Sequence, residues 1–584
     1  MPAGPTGPAA FTVHATDSSA TPLTGSAAFN VTISAADSSN NSELNGSYAF
    51  LFQGFNDSDG TMVVVAGSFL TDGHGNISSG GFVDTDGVGS TGAQPPQEIA
   101  SGSYTIGADN RGSMSLTTLS GTTVFAISVG DIQAGVATKA RFIRFDDVSG
   151  TNGQTGSGVI LKQDPSIFSL NALHGSYAFG ETGTDLTNGD PESGVGFVNA
   201  DGNGNFTTGG LIDLNDGGEL VPSAAISGTY QLTDETVSSG RLSASVTIAG
   251  VNGTTSDVIY IVSSSQVLFI SINTTQNSIF SGMAQLQVPP TGGFDLSSLI
   301  NNSVVAVQGR QADGSPIVLI GSLATDGNGI FTLSYVQNNS DTKVSATAGG
   351  TYAVDPNGRA KLTYTSGGFS PTIIYLDGLN QGFAGATDAN ASSGPLDPGV
   401  STYNNATLST SDNFFFGTIS PTSIKNINQS GVSSFGATTV QSVSDATTPG
   451  GILTGDGVGA PITYTVGPNG QLTFTTNNQG VVGYVASGCE IQAIFQNNGI
   501  PVIGTFECQV TPATLTVTEA GTGTGTVSSN PAGITCPATT CSASFESGSQ
   551  VVLTATPTGG STFGSFTTNC TPANPCLLYT SRCV

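Results

Sequence analysis

At 584 residues the chain is too long for one hydrophobic core and fits five or six domains. Asp and Glu outnumber Lys and Arg by 40 to 12 and leave a net charge of −28. With no basic cluster, the chain repels phosphate backbones and anionic membrane surfaces, so nucleic acid is excluded as a partner. No apolar run approaches the roughly 18 residues of a membrane-spanning helix, so no transmembrane helix is expected.

In chain order, Phe11, Val13 and Ala15, then Phe29, Val31 and Ile33, alternate about Thr16-Asp17-Ser18-Ser19 and predict a β-hairpin. This stretch resembles the last hairpin of a bacterial immunoglobulin-like domain, which implies a partial domain of that kind over residues 1–38. Two strands cannot bury a core alone. Met1 is therefore not expected to be the natural start, and a signal peptide is expected to have been lost with the missing upstream part.

Four repeats follow. Leu44-Asn45-Gly46-Ser47-Tyr48-Ala49-Phe50 returns as Leu173-His174-Gly175-Ser176-Tyr177-Ala178-Phe179. A hairpin signal at Asp72-Gly73 returns at Asp201-Gly202 and Asp326-Gly327, and a strand tyrosine at Tyr104 returns at Tyr230, Tyr352 and Tyr464. In the fourth, most diverged copy Phe414-Phe415-Phe416-Gly417 stands for the first landmark. A period above 100 residues equals a whole domain rather than a solenoid coil. The boundaries, marked by Pro165, by Pro289-Pro290 and by the Ser/Asn/Gly-rich stretch from Asp388, give repeats at 39–165, 166–290, 291–400 and 401–510.

Within a repeat the apolar residues alternate, as Tyr48, Phe50 and Phe52 do, and Asp-Gly and Asn-Gly punctuate them because both tolerate the positive φ of tight hairpins. About eight strands fit each copy, and no sustained amphipathic helix is visible. The fold class is all-β: tandem antiparallel β-barrels, with β-sandwiches as the alternative, flanked by small β modules. Outer-membrane barrels are disfavoured, because aromatic girdles are missing and the strands read as shorter than about 9 to 11 residues. The four central repeats resemble no characterised family.

Residues 511–576 carry Leu515-Thr516-Val517, the Gly/Thr run ending at Val527, Val551-Val552-Leu553 and Phe563. This segment resembles a divergent internalin-type B repeat, a small module of bacterial surface proteins. The resemblance implies a spacer or adhesion role, with Phe566 taking the place of that family's tryptophan. Residues 577–584 break the pattern and are read as a read-through tail outside the fold.

All seven cysteines fall between Cys489 and Cys583. Spacing suggests the pairs Cys489 with Cys508, Cys536 with Cys541 and Cys570 with Cys576, although connectivity does not follow from sequence. Local pairs suit an oxidising compartment. No histidine lies near them, which disfavours zinc.

No repeat carries a catalytic constellation. His14, His74 and His174 are scattered, and other copies place Asn where His74 and His174 stand. Asp57, Asp59, Asp84 and Asp86 sit in Asp-x-Asp-Gly elements and are weak calcium candidates. They lack the distal glutamate of a calcium loop, and turn chemistry explains the same letters, so no metal or cofactor is expected.

The leading expectation is a non-enzymatic, monomeric protein of the bacterial cell surface or extracellular space. Its tandem domains would form a rod and meet an unknown protein or glycan partner. The alternatives are an array of small-ligand- or glycan-binding barrels, separable by whether inward aromatics fill the interiors or leave a cavity, and the accessory region of a truncated secreted hydrolase.

Overall fold

The computed structural model describes residues 7–16, 24–33 and 37–579, apart from 88–91, 147–152, 187–188, 234–238, 273–277, 340–341, 367–371, 400–407, 409–412, 419–422, 424, 449–450, 457–460, 475–480, 488–489, 498–499, 510–512, 519–522, 531–532, 537–540, 546–549 and 565–575. Its regular structure is almost entirely antiparallel strand, and the repeats form four closed eight-stranded β-barrels. The barrels run from the strand Asn45–Asn56 to Gln154–Lys162, from His174–Asp185 to Ser278–Leu286, from Ile300–Gln311 to Asn390–Pro398, and from Asn413–Thr418 to Ile500–Cys508. In each, the first strand pairs with the last.

The repeated landmarks explain the closure. Asp72, Asp201 and Asp326 each accept the main-chain amides two and four residues on, at 2.7–3.0 Å, which builds the tight hairpin the Asp-Gly pair predicts. Gly73, Gly202 and Gly327 adopt φ of 72°, 74° and 72°, where a side chain would be strained. Tyr104, Tyr230 and Tyr352 reach across one end of their barrels and donate to the carbonyls of Leu44, Leu173 and Leu299 at 2.7–2.8 Å. Each bond ties the third landmark to the first. Three-residue 3₁₀ turns, such as Leu170–Ala172, close the same ends.

The strands are longer than the sequence reading expected: Gly121–Gln133 has 13 residues and Glu219–Leu232 has 14. Gly, Ser and Thr continue the ladders within these strands.

The barrels do not form a rod. Outward residues of the first barrel, among them Val64, Ala66 and Leu161, pack on Val258, Tyr260, Leu268 and Ile270 of the second. Ala178 and Phe197 of the second meet Tyr375 and Phe383 of the third, and Val318, Ile320 and Val336 of the third meet Tyr484, Ile494 and Ile503 of the fourth. The fourth then returns to the first. The Phe415 ring lies over Gly130, where an added Cβ would come within 1.9 Å of it, and the Ser128 hydroxyl donates to the Phe416 carbonyl at 3.2 Å. Each barrel thus touches both neighbours in a closed cycle. The expectation of a rod fails because runs such as Val258–Val262 bury both faces of the strand, one inside the barrel and one against a neighbour.

A polar clamp recurs at these junctions. In strand register, Arg241 opposes Tyr260, Arg359 opposes Tyr375, Gln471 opposes Tyr484 and Arg111 opposes Ser128. Arg241 grips buried Asp84 of the preceding barrel with two bonds of 2.6 and 2.7 Å, and Tyr260 donates to the same carboxylate at 2.6 Å. Arg359 and Tyr375 hold Asp213 in the same way. The fourth barrel's Asp445 receives Arg111 at 3.2 Å. At the third junction the register puts the uncharged residues Val336 and Gln471 at these positions, Val336 opposite Ile320 as Asp84 is opposite Ala66.

Outside the cycle, the strands Gly7–Thr16 and Thr24–Ile33 form the expected N-terminal hairpin, with Phe11 opposite Phe29. The turn residues 17–19 lie outside the described residues. At the other end a two-stranded and a four-stranded sheet enclose a small core of Val527, Ile534, Cys536, Val551 and Leu553. Part of the tail set aside from the fold joins it: Cys576–Tyr579 pairs with Gln550–Thr558. Among the described residues no helix is long and apolar enough to cross a membrane.

Candidate functional site

The interiors of the first and second barrels differ. In the first, Phe52 stacks on Phe142, and Phe50 and Phe125 meet the same ring edge-on, so aromatic side chains fill the barrel. In the second, a cavity of about 110 Å³ remains. Its body is apolar, lined by residues such as Phe179, Ile212, Ile259 and Phe269, while Glu181, Glu192 and Asp257 also line it.

Strand register shows how these carboxyls come to be inside. Gly183 pairs with Glu192 as Gly54 pairs with Val63, so Glu192 stands where the first barrel has Val63. Two residues before those glycines stand Glu181 and Phe52. Ile259 pairs with Phe269 as Ile127 pairs with Phe142, which places Asp257 at the position of Phe125. Three apolar core residues are thus exchanged for three acids, and the lost ring volume opens the cavity.

The acids are 8, 9 and 7 % exposed, and little compensates their charge. Burial raises Glu181 well above the usual carboxyl range, and Glu192 and Asp257 add to the effect. Burial likewise pushes Glu192 up to about 7; a hydrogen bond from Ser278 opposes it, and repulsion from Asp216 and Asp185 adds to it. Asp257 is pushed up to about 8 by burial and by Asp86, against one bond from Thr255. Glu192 Oε2 and Asp257 Oδ1 are buried without a hydrogen-bond partner. Arg310 of the third barrel shares a small cleft with Glu192 but donates to the Gly183 carbonyl and the Thr184 hydroxyl.

A second buried acid group, at the meeting of the first, third and fourth barrels, is compensated at one of its members. Lys139 and Arg141 bind Glu507 at 2.6 and 2.8 Å. Burial alone would raise Glu507, but the two cations outweigh it and hold it at about 2. Beside it Asp397, raised by burial to about 7, accepts from Gln492, which also binds Glu490. The cations thus pair with Glu507, while burial also raises Glu490 well above the usual carboxyl range, and the network joins the three barrels.

The residues singled out from sequence are not brought together. Asp57 and Asp59 occupy an exposed hairpin, where Asp59 accepts from the Thr61 amide at 2.9 Å. Asp84 is committed to Arg241 and Tyr260, and Asp86 accepts from the Ser271 hydroxyl at 2.9 Å. Both therefore serve the junction between barrels rather than a hairpin turn. Among the described residues no group of three or more His, Cys, Asp or Glu is arranged to hold a metal.

His74 caps its own exposed turn, His174 is exposed at a strand start, and His14 lies in the N-terminal hairpin. Cys536 and Cys541 form a disulfide, and Cys508 is disulfide-bonded. Cys489 and Cys570 lie outside the described residues, and Cys576 belongs to the last strand.

The cavity acids escaped the sequence reading, although a signal was present. In Tyr48-Ala49-Phe50-Leu51-Phe52 and Tyr177-Ala178-Phe179-Gly180-Glu181 the inward series runs Tyr-Phe-Phe and then Tyr-Phe-Glu. No protein-family model matches the chain, and no curated protein matches it significantly.

Proposed function

We propose that the chain is a non-enzymatic extracellular or cell-surface protein with a structural or adhesive role. The four-barrel cycle would serve as a rigid body that carries the flanking modules and presents hairpin tips to a protein or glycan. The observation that supports this reading is the return of the fourth barrel onto the first, which gives every barrel two buried interfaces and leaves little freedom between copies. The Cys536–Cys541 disulfide fits an oxidising compartment.

The test combines two measurements on the purified chain. Beads coated with it should be retained saturably on surfaces bearing extracellular glycans or matrix proteins. Incubation with panels of chromogenic glycosides, esters and peptides should give no turnover, and turnover of any of them overturns the reading.

A further inference from the structure

We propose that the interior of the second barrel is a binding site for one small amphiphilic cation, with an ammonium head among Glu181, Glu192 and Asp257 and a short aliphatic body in the apolar cavity. This goes beyond the structural role proposed above and does not depend on it.

Three features of the site carry the assignment. Carboxyls replace core residues at three positions whose counterparts in the first barrel are Phe52, Val63 and Phe125, and the replacement leaves both a cavity and a polar end to it. Two oxygens of these lining acids, Glu192 Oε2 and Asp257 Oδ1, are buried and unpartnered, and a buried acceptor left without a donor is costly. An ammonium group offers three donors and no acceptor, which matches a set of acceptors. Finally, among the described residues no cationic side chain lines the cavity, whereas Asp185, Asp190, Asp216 and Glu219 gather at hairpins on the side of Glu192. Such a rim concentrates cations and repels carboxylate ligands.

Size restricts the body. A cavity of about 150 Å³ accepts benzene, so one of about 110 Å³ suits a chain of four or so carbons. The raised proton affinities add a signature: the cation takes the place of a proton held by the acid group, so its binding releases about one proton at neutral pH.

The experiment is calorimetric titration of the full chain at pH 7.5 with n-butylammonium chloride, n-butanol and sodium butyrate at matched ionic strength. The expected result is one site per chain, binding n-butylammonium at least tenfold more tightly than either comparator, with a heat that varies with buffer ionisation as proton release requires. The variant Glu192→Gln/Asp257→Asn should lose at least tenfold in that preference, whereas exposed Asp59→Asn should not change it. Equal affinity for the three probes, no saturable binding, or unchanged binding by the folded double variant overturns the proposal. Should the double variant fail to fold, wild-type crystals soaked in 3-bromopropylammonium decide. Anomalous density among Phe179, Ile259 and Phe269 supports the site, and its absence there refutes it.

Discussion

The first and second barrels share strand order, hairpins and the tyrosine-to-leucine closure, yet one is filled by aromatic rings and the other holds a carboxyl-lined cavity. The difference comes down to Phe52, Val63 and Phe125 against Glu181, Glu192 and Asp257. It teaches that closure and filling are separate problems. Turns and ladder hydrogen bonds close the barrel, and three inward side chains decide what it contains.

The sharpest way to break the comparison is to give the first barrel one acid of the second. Phe52→Glu removes a ring packed on Phe142 and buries a carboxyl without a partner, so a loss of about 4 kcal/mol or more is expected in chemical denaturation. Next is the clamp joining the two barrels. Arg241→Ala leaves Asp84, 1 % exposed, with only Tyr260, and about 3–5 kcal/mol should be lost. The paired change Asp84→Asn/Arg241→Gln replaces the ion pair with uncharged amides and should recover most of that loss, which a double-mutant cycle would read out.

The reverse transplant, Glu181→Phe/Glu192→Val/Asp257→Phe, should fill the cavity. It should stabilise the chain by about 2–4 kcal/mol at pH 8, seen as a higher Tm, and abolish ammonium binding.

The pH dependence separates the same two interiors. The folded-state values of Glu192 and Asp257, about 7 and 8, lie above those of the unfolded chain, so between about pH 4 and 8 the folded state holds more protons. Stability is then complete below about pH 4 to 5 and declines as pH rises through 7 to 8, by at most about 1.4 kcal/mol per pH unit for each group. Asp377 and Asp397, both raised to about 7, act in the same direction, while Glu507, held at about 2, contributes only below this window. The groups facing the cavity acids are Asp86, Asp185 and Asp216, with Arg310 turned to Gly183 and Thr184. Glu192→Gln/Asp257→Asn should flatten the decline measured by urea titrations from pH 5 to 8. The smallest effect belongs to His74→Asn, which copies Asn203 and Asn328 at an exposed turn and should change stability by less than about 0.5 kcal/mol.

Local chemistry by itself determined the repeat, the number of strands per copy, the Asp-Gly hairpins and the barrel class. Turns obey short-range steric rules, and alternation is a property of neighbouring residues. Even two-faced burial left a trace, in unbroken apolar runs such as Val258–Val262. Only the tertiary structure decided which neighbour those outer faces meet, that the fourth barrel closes on the first, and that Glu181, Glu192 and Asp257 share one interior. These acids lie on three different strands, and their convergence depends on closure and register, which bring together residues that no local pattern links.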